Sequence, residues 1–462
     1  MSSDRLVHAR DLSGAEKQRL FAVSVTALVS SGIAFAVRTG ILSPLARDLF
    51  PGPGGEKVGQ SVGFAFLGFA FSIVISSPLI DRLGMKTLLV LSSSLLLLGT
   101  LGVIFVEPLG AGLGLLDALC ASFLVFGLGW GLIESAINPL ISTIYSDENT
   151  KKLNHLHAWW PAGLVAGGLF GYWAGGRMPW RAEVAATLVP IALFGLAALF
   201  SRFPVTERTS AGIGDAEMFR ELKRPLFIIL FLCMFLTASS ELAPNQWVDF
   251  ALSHAVGMKG ILLLVYVSAI MFVGRHFAGP LVHRLSPMGL LWFSVVLASI
   301  GLVLLGHAHD PATAMTAATV WGVGVCFLWP TMLATTSERF PRGGSLLLGL
   351  MGAAGMSAIF LVLPRLGDVY DRWATIDAHS AGYSTFDALK SAATASDAPV
   401  AVAARYDHAQ AVAGSHSFLA LAILPAILIV VFGAIWLSDR ARGGYKVERL
   451  NALTDEGQGS GG

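Results

Sequence analysis

Ser77-Pro78-Leu79-Ile80-Asp81-Arg82-Leu83-Gly84-Met85-Lys86 returns later in the chain, in weaker form, as Gly279-Pro280-Leu281-Val282-His283-Arg284-Leu285-Ser286-Pro287. Both copies place Pro-Leu-aliphatic before a polar-Arg-Leu turn. A second pair of stretches agrees with the first. Asn138-Pro139 precedes Ser146-Asp147, and Trp329-Pro330 precedes Ser337-Glu338, with the same Pro-to-Ser spacing. Between the copies, residues 202–224 form a charged linker containing Thr209-Ser210-Ala211-Gly212-Ile213-Gly214. The chain reads as a duplication about that linker.

What is duplicated follows from composition. The 462 residues are 54% hydrophobic and 13% charged, with a mean hydropathy of +0.68. Soluble domains carry about 25% charged residues, so this chain belongs in a bilayer. A span needs about 20 mostly apolar residues. Breaks at charged and Pro- or Gly-rich turns divide the first copy into spans near 20–46, 60–80, 87–106, 112–144, 154–175 and 183–201. The second copy divides near 225–252, 260–282, 288–307, 312–335, 345–366 and 416–438. The expectation is an all-α membrane protein of twelve transmembrane helices in two pseudo-symmetric six-helix bundles, 20–201 and 225–438. A long outer loop, 367–415, open to a lid or a short helix, falls inside the second. Arg82, Lys86, Lys151, Lys152, Arg220, Lys223, Arg224, Arg339 and Arg342 crowd the loops on the side of the two tails, 1–19 and 439–462. Basic loops stay inside, so both termini are expected to be cytoplasmic. The polar first 19 residues do not have the layout of a cleaved signal peptide.

Polar residues inside the spans mark the expected site. A charge at bilayer depth costs about 2.5–3.5 kcal/mol even on lenient scales, so an intramembrane acid is a functional-site hypothesis by default. Trp130, Glu134 and Asn138 follow at i, i+4 and i+8 on one face of span 4. Span 7 supplies Glu241, Asn245 and Gln246 around Pro244, with Trp247 and Asp249 nearer the outer surface. Arg38 on span 1 is the candidate ion-pair partner of Glu134, although counting along the spans puts Arg38 on the outer side of the midplane and Glu134 on the inner side. Arg275 on span 8 is the candidate partner of Glu241. Span 5 adds His157, which can titrate near neutrality, and Trp159 or Trp160. Neighbouring helical residues diverge by about 100°, so both tryptophans do not readily face one cavity. Trp321 and Trp329 complete a set of intramembrane tryptophans. Sugar rings present apolar C–H faces that stack on such planes, leaving their hydroxyls for Asn, Gln and Glu.

The turn Asp81-Arg82-Leu83-Gly84-Met85-Lys86 resembles the loop 2–3 signature of the major facilitator superfamily, with Ser77 for its leading Gly and Met85 for one basic residue. The resemblance covers nearly the whole chain. Within that superfamily, Glu134-Ser135-Ala136-Ile137-Asn138-Pro139 is similar to the Glu-Thr-Ala-Ala-Asn-Pro stretch of the fucose:proton symporter family, which includes glucose/galactose and fucose permeases. The resemblance implies that Glu134 and Asn138 line a central cavity, with Glu134 titrating or contacting sugar. It also implies that Asp81, Arg82, Gly84 and Lys86 act as a gate, Asp81 pairing across to the other bundle. One departure stands out: Arg38 lies where that family carries an acid in its first span.

The expected activity is secondary transport of a small polar solute, most simply a sugar, by alternating access. Proton symport through Glu134 or Glu241 would supply the energy, with Na⁺ as the alternative ion. The competing expectations are a proton-coupled drug or metabolite exporter and a non-transporting membrane protein with both ion pairs locked. No Walker-type phosphate loop is present, and no enzyme constellation. Cys120, Cys233 and Cys326 lie in separate apolar runs without metal-ligand spacing, as small core residues. No cofactor or metal is expected. The net charge of +1 argues against a nucleic-acid partner. The expected setting is a monomer, multi-pass in a cell (inner or plasma) membrane, with lipid and a small-molecule substrate as its partners.

Overall fold

The computed structural model describes residues 7–50, 55–256, 260–395 and 398–450. Their architecture is all-helical. The first copy contributes α1 (Gly14–Gly40), α2 (Gly55–Leu83), α3 (Met85–Ile104), α4 (Leu115–Ile144), α5 (Asn149–Ala174) and α6 (Trp180–Leu199, stepped at Thr187). The second contributes α7 (Pro225–Val256), α8 (Gly260–His276), α9 (Ala278–Gly306), α10 (Pro311–Arg339, stepped after Val325), α11 (Gly344–Ser380) and α12 (Val400–Ala441). Among the described residues, ten stretches are long and apolar enough to cross a membrane, while α8 is a shorter apolar helix. Side chains such as Phe71, Leu98, Leu193 and Val430 are exposed on the outside of the bundle, as a hydrocarbon solvent allows.

The two copies share their packing residue by residue. In the first, a Cβ on Gly99 would sit 2.5 Å from the Phe126 backbone, and one on Gly129 would sit 2.8 Å from that of Leu96. In the second, Gly301 meets Trp321 at 2.3 Å and Gly324 meets Ala298 at 2.3 Å. Helices α3 and α4, and likewise α9 and α10, therefore touch backbone to backbone, as small residues permit in membranes. The repeated turn is matched as well. Gly84 has φ 82° and Ser286 has φ 64°, the only positive φ at a non-glycine among the described residues. Ser286 breaks the helical backbone of α9 between a first piece from Ala278 and the rest of the helix.

Contacts between the halves gather on the side of the linker. Ser345 at the start of α11 donates to the Ser77 carbonyl at 2.7 Å, and Gly349 packs on Ser77. Asn154 of α5 donates to Thr331 of α10 at 3.3 Å. Thr150 Oγ1 and its amide both bond Glu338, whose other oxygen accepts from Tyr445 at 2.9 Å. Arg224 pairs with Glu448 at 2.6 Å. The segment after α12 thus lies across the end of the bundle.

The stretch 367–415, which the sequence leaves open to a lid or a short helix, is mostly helix. Helix α11 runs on to Ser380, α12 begins at Val400, and a short helix, Phe386–Ala393, caps the pair. At 1.5 Å per residue, both long helices exceed the roughly 30 Å hydrocarbon layer. The protruding parts pack on themselves through Tyr370, Ala374 and Ala413, and through Ala378, Leu389 and Ala409. Polar outer faces hid them from a hydropathy reading.

Candidate functional site

Proline positions the site. An α-helical N–H bonds the carbonyl four residues earlier, and proline has none to give. Pro161 in α5 frees the His157 carbonyl, Pro330 in α10 frees that of Cys326, and Pro244 in α7 frees that of Ser240. Each is answered by a side chain from another helix. Arg275 of α8 donates from Nη1 to His157 O at 2.7 Å and from Nε to Cys326 O at 2.6 Å. Trp321 Nε1 donates to Ser240 O at 3.1 Å. The third arm of Arg275, Nη2, reaches Glu241 Oε1 at 2.9 Å, with both side chains buried. One guanidinium therefore joins α5 of the first half to α7, α8 and α10 of the second. Its fixed fork of donors suits that task better than a lysine's point charge.

Glu134 is held differently. Asn138 Nδ2 donates to the Glu134 carboxylate at 2.8 Å and to the Glu134 carbonyl at 2.9 Å. The Asn138 Oδ1 accepts from His157 Nε2 at 2.9 Å, and His157 lies 4.0 Å from Glu134 Oε2. A chain Glu134–Asn138–His157 thus runs through buried side chains to the residue whose carbonyl Arg275 holds. No lysine or arginine lies within ion-pair distance of Glu134 among the described residues.

The expected pairing of Glu134 with Arg38 is not formed. Arg38 lies over the rings of Phe35, Phe123 and Phe126, at 5.2, 5.7 and 5.2 Å. Phe126 precedes Glu134 by eight residues on α4, a rise of about 12 Å, which an arginine side chain does not cover. Counting depth along the spans puts the two residues on opposite sides of the midplane, but it does not give the direction in which Arg38 points. Trp130 is buried against Phe35, Phe66 and Phe69, with ring centroids 5.0 to 6.0 Å apart. Trp160 is half-buried, with its centroid 5.7 Å from that of Phe35, while Trp159 packs on Phe272 across the seam. Trp329 packs against Gly355 of α11. Asn245 is half-buried and donates back to the Glu241 carbonyl at 2.9 Å. The side chains of Gln246, Trp247 and Asp249 lie outside the described residues.

The gate residues come together, with a different partner from the one expected. Asp81 pairs with Arg208 and accepts from Thr206, both in the linker, rather than reaching the other bundle. Arg82 pairs with Asp215, also in the linker, at 2.9 Å, and that bond foremost holds the Asp215 carboxyl below its ordinary range. Gly84 supplies the left-handed turn, and Lys86 borders a cleft of about 590 Å³ beside Asp81 and Arg202. The halves are joined nearby through Gly344, which abuts Arg208. Arg208, Thr150, Glu338 and Tyr445 were not foreseen. Nothing in their local sequence sets them apart from solvated loop residues. The proline-freed carbonyls, by contrast, could have been found by counting back four.

Two mirrored helical halves with a buried polar seam and an interfacial charged latch define a multi-pass membrane transporter. The chain belongs to the Major Facilitator Superfamily, whose family model matches residues 19–364. No curated protein matches it in sequence. Its fold is similar to that of the E. coli fucose:proton symporter FucP, at TM-score 0.63 and 14% identity over 89% of this chain and 99% of that one. It is also similar to the proton:xylose symporter XylE, at TM-score 0.67 and 15% identity over 91% and 96%. The nucleoside transporter NupG aligns at TM-score 0.59 and 14% identity over 91% and 99%.

Proposed function

We propose that this transporter is a proton-coupled symporter for a small neutral sugar in the cell membrane, with twelve spans and both termini cytoplasmic. The observation that carries the reading is the unequal treatment of its two buried acids. Glu241 is ion-paired directly with Arg275, whereas the direct side-chain contacts of Glu134 are an amide and a histidine. A carboxyl without a cation in a low-dielectric site is the group that gains most from binding a proton. Glu134 is therefore the carrier, and Glu241 anchors Arg275. Protonated Glu134 no longer calls for the full attention of the Asn138 amide, which frees Asn138 and His157 to turn toward sugar hydroxyls. Because the His157 carbonyl is an arm of Arg275, that rearrangement reaches the contact between the halves. With the linker side closed, substrate and proton enter from the opposite face. The sugar preference rests on the polar amides beside half-buried Trp160, and on the resemblance to sugar symporters in both sequence motif and fold.

The test is uptake into proteoliposomes of a labelled panel of hexoses, pentoses and nucleosides, with pH and Na⁺ gradients imposed separately. A pH gradient should drive accumulation of a sugar, and Glu134→Gln should abolish accumulation while leaving counterflow exchange. Accumulation driven by Na⁺ alone, or unchanged in the variant, would remove the assignment. Nucleoside uptake without sugar uptake would keep the carrier and change the cargo.

A further inference from the structure

Helix α5 starts without a cap of its own. Its first amides have no carbonyl within the helix to bond, and Glu148, the residue before it, makes no capping bond with its side chain. Glu338 of α10, in the other half, serves instead. Thr150 donates to Glu338 Oε1 from its amide at 3.2 Å and again from its hydroxyl. The helix dipole favours a carboxylate in that position. Closure on the linker side therefore includes a cap that one half supplies to the other, and opening takes it away.

Glu338 is itself held. Gly443 and Gly444, at φ 91° and 106°, turn the chain back after α12, and Tyr445 then donates to Glu338 Oε2 at 2.9 Å. The Tyr445 ring lies 4.6 Å from the guanidinium of Arg339, which pairs with Asp439 of α12. The Glu448 amide donates to the Glu338 carbonyl at 2.8 Å, and the Glu448 carboxylate takes both arms of Arg224. Among the described residues, the segment's one ion pair with the first half is Arg449 with Asp147 at 3.4 Å, and both side chains are mostly exposed. Such a surface pair contributes little. The segment grips the second half and reaches the first through Glu338.

We infer that Tyr445 is a positioning residue for the closed linker side. Its hydroxyl fixes one oxygen of Glu338 so that the other caps α5 across the seam, and Gly443–Arg449 acts as a strap that sets how readily that side opens. This role is the same whatever the cargo and the coupling ion.

The measurement is amide hydrogen exchange, read by mass spectrometry on the full chain in lipid nanodiscs. Tyr445→Phe removes only the hydroxyl. Exchange over residues 146–156 and 327–338, on the two sides of the contact, should rise about five- to tenfold, the factor one hydrogen bond is worth. The outer cap at 367–415 should stay unchanged. In a Glu338→Ala chain the same substitution should add nothing, because the acid it acts through is gone. Unchanged exchange at 146–156 in Tyr445→Phe, an equal rise over 367–415, or a full further rise in Glu338→Ala would overturn the inference. The first two outcomes are read on Tyr445→Phe alone, so a Glu338→Ala chain that fails to fold leaves the test intact.

Discussion

Helices α4 and α10 are the same element in the two copies, and they part company at one level. Above it, Gly129 and Gly324 make equivalent backbone contacts with α3 and α9. Below it, Pro139 comes ten residues after Gly129, but Pro330 comes only six after Gly324. The second copy is short by about one helical turn. The extra turn of α4 falls between Gly129 and Pro139, in the stretch that carries Glu134. In α10 the helix steps at Cys326–Phe327 instead, and Arg275 takes the released Cys326 carbonyl. The scaffold tolerates little change because two backbones touch, whereas the seam can be built in more than one way. One half carries its acid on the repeated helix, and the other borrows it from α7 together with an arginine.

The largest effect should come from breaking the arginine side of this comparison. Arg275→Leu strands Glu241 in a buried site and leaves two carbonyls without donors. Removing one partner of a buried pair typically costs 3–5 kcal/mol. We expect a sharp loss of melting temperature or folded yield. Glu241→Gln in the same chain should recover part of it, giving a coupling well above the error of a double-mutant cycle. Glu134→Gln, lacking a cation to strand, should change stability far less, whatever it does to uptake. Similar losses from Arg275→Leu and Glu134→Gln would mean that the two acids are equivalent after all.

The scaffold side is tested by Gly99→Ala and Gly301→Ala. Each added methyl would fall within about 2.5 Å of a facing backbone atom, so the helices must separate. Overpacking of this kind costs about 1–3 kcal/mol. The two variants should lose melting temperature by similar amounts, as expected of one packing used twice. A loss confined to one of them would show that the shared register carries unequal weight.

The pattern of what could be read from residues alone follows the same division. Long apolar runs, the repeated turn and the acids at depth announce themselves because burial in lipid demands them. The partners do not. Hydropathy gives Arg38 and Glu134 a depth but not an azimuth, and even the depth was too coarse to exclude their pairing. Arg208 sits in a linker without periodicity, so its hold on Asp81 left no trace. Helices α11 and α12 continue beyond the bilayer with polar outer faces, where hydropathy falls silent. The missing turn of α10 was visible in the spacing, but only once Gly129 and Gly324 were known to be counterparts.

The repeated turn offers the smallest and most symmetrical test. Gly84 and Ser286 occupy the same left-handed position, and only glycine does so without crowding its Cβ against the following carbonyl. Ser286 accepts that strain, and its hydroxyl gains just one long bond in return, from the Gly289 amide at 3.3 Å. Ser286→Gly should therefore raise stability by about 1 kcal/mol, less the lost hydrogen bond, and Gly84→Ser should lower it by a similar amount. Melting of the two variants side by side measures both. If Ser286→Gly proves neutral or destabilising, the hydroxyl contributes more than its geometry suggests. The second turn would then be held by a contact that the first does without, and the likeness between the copies would end at the backbone.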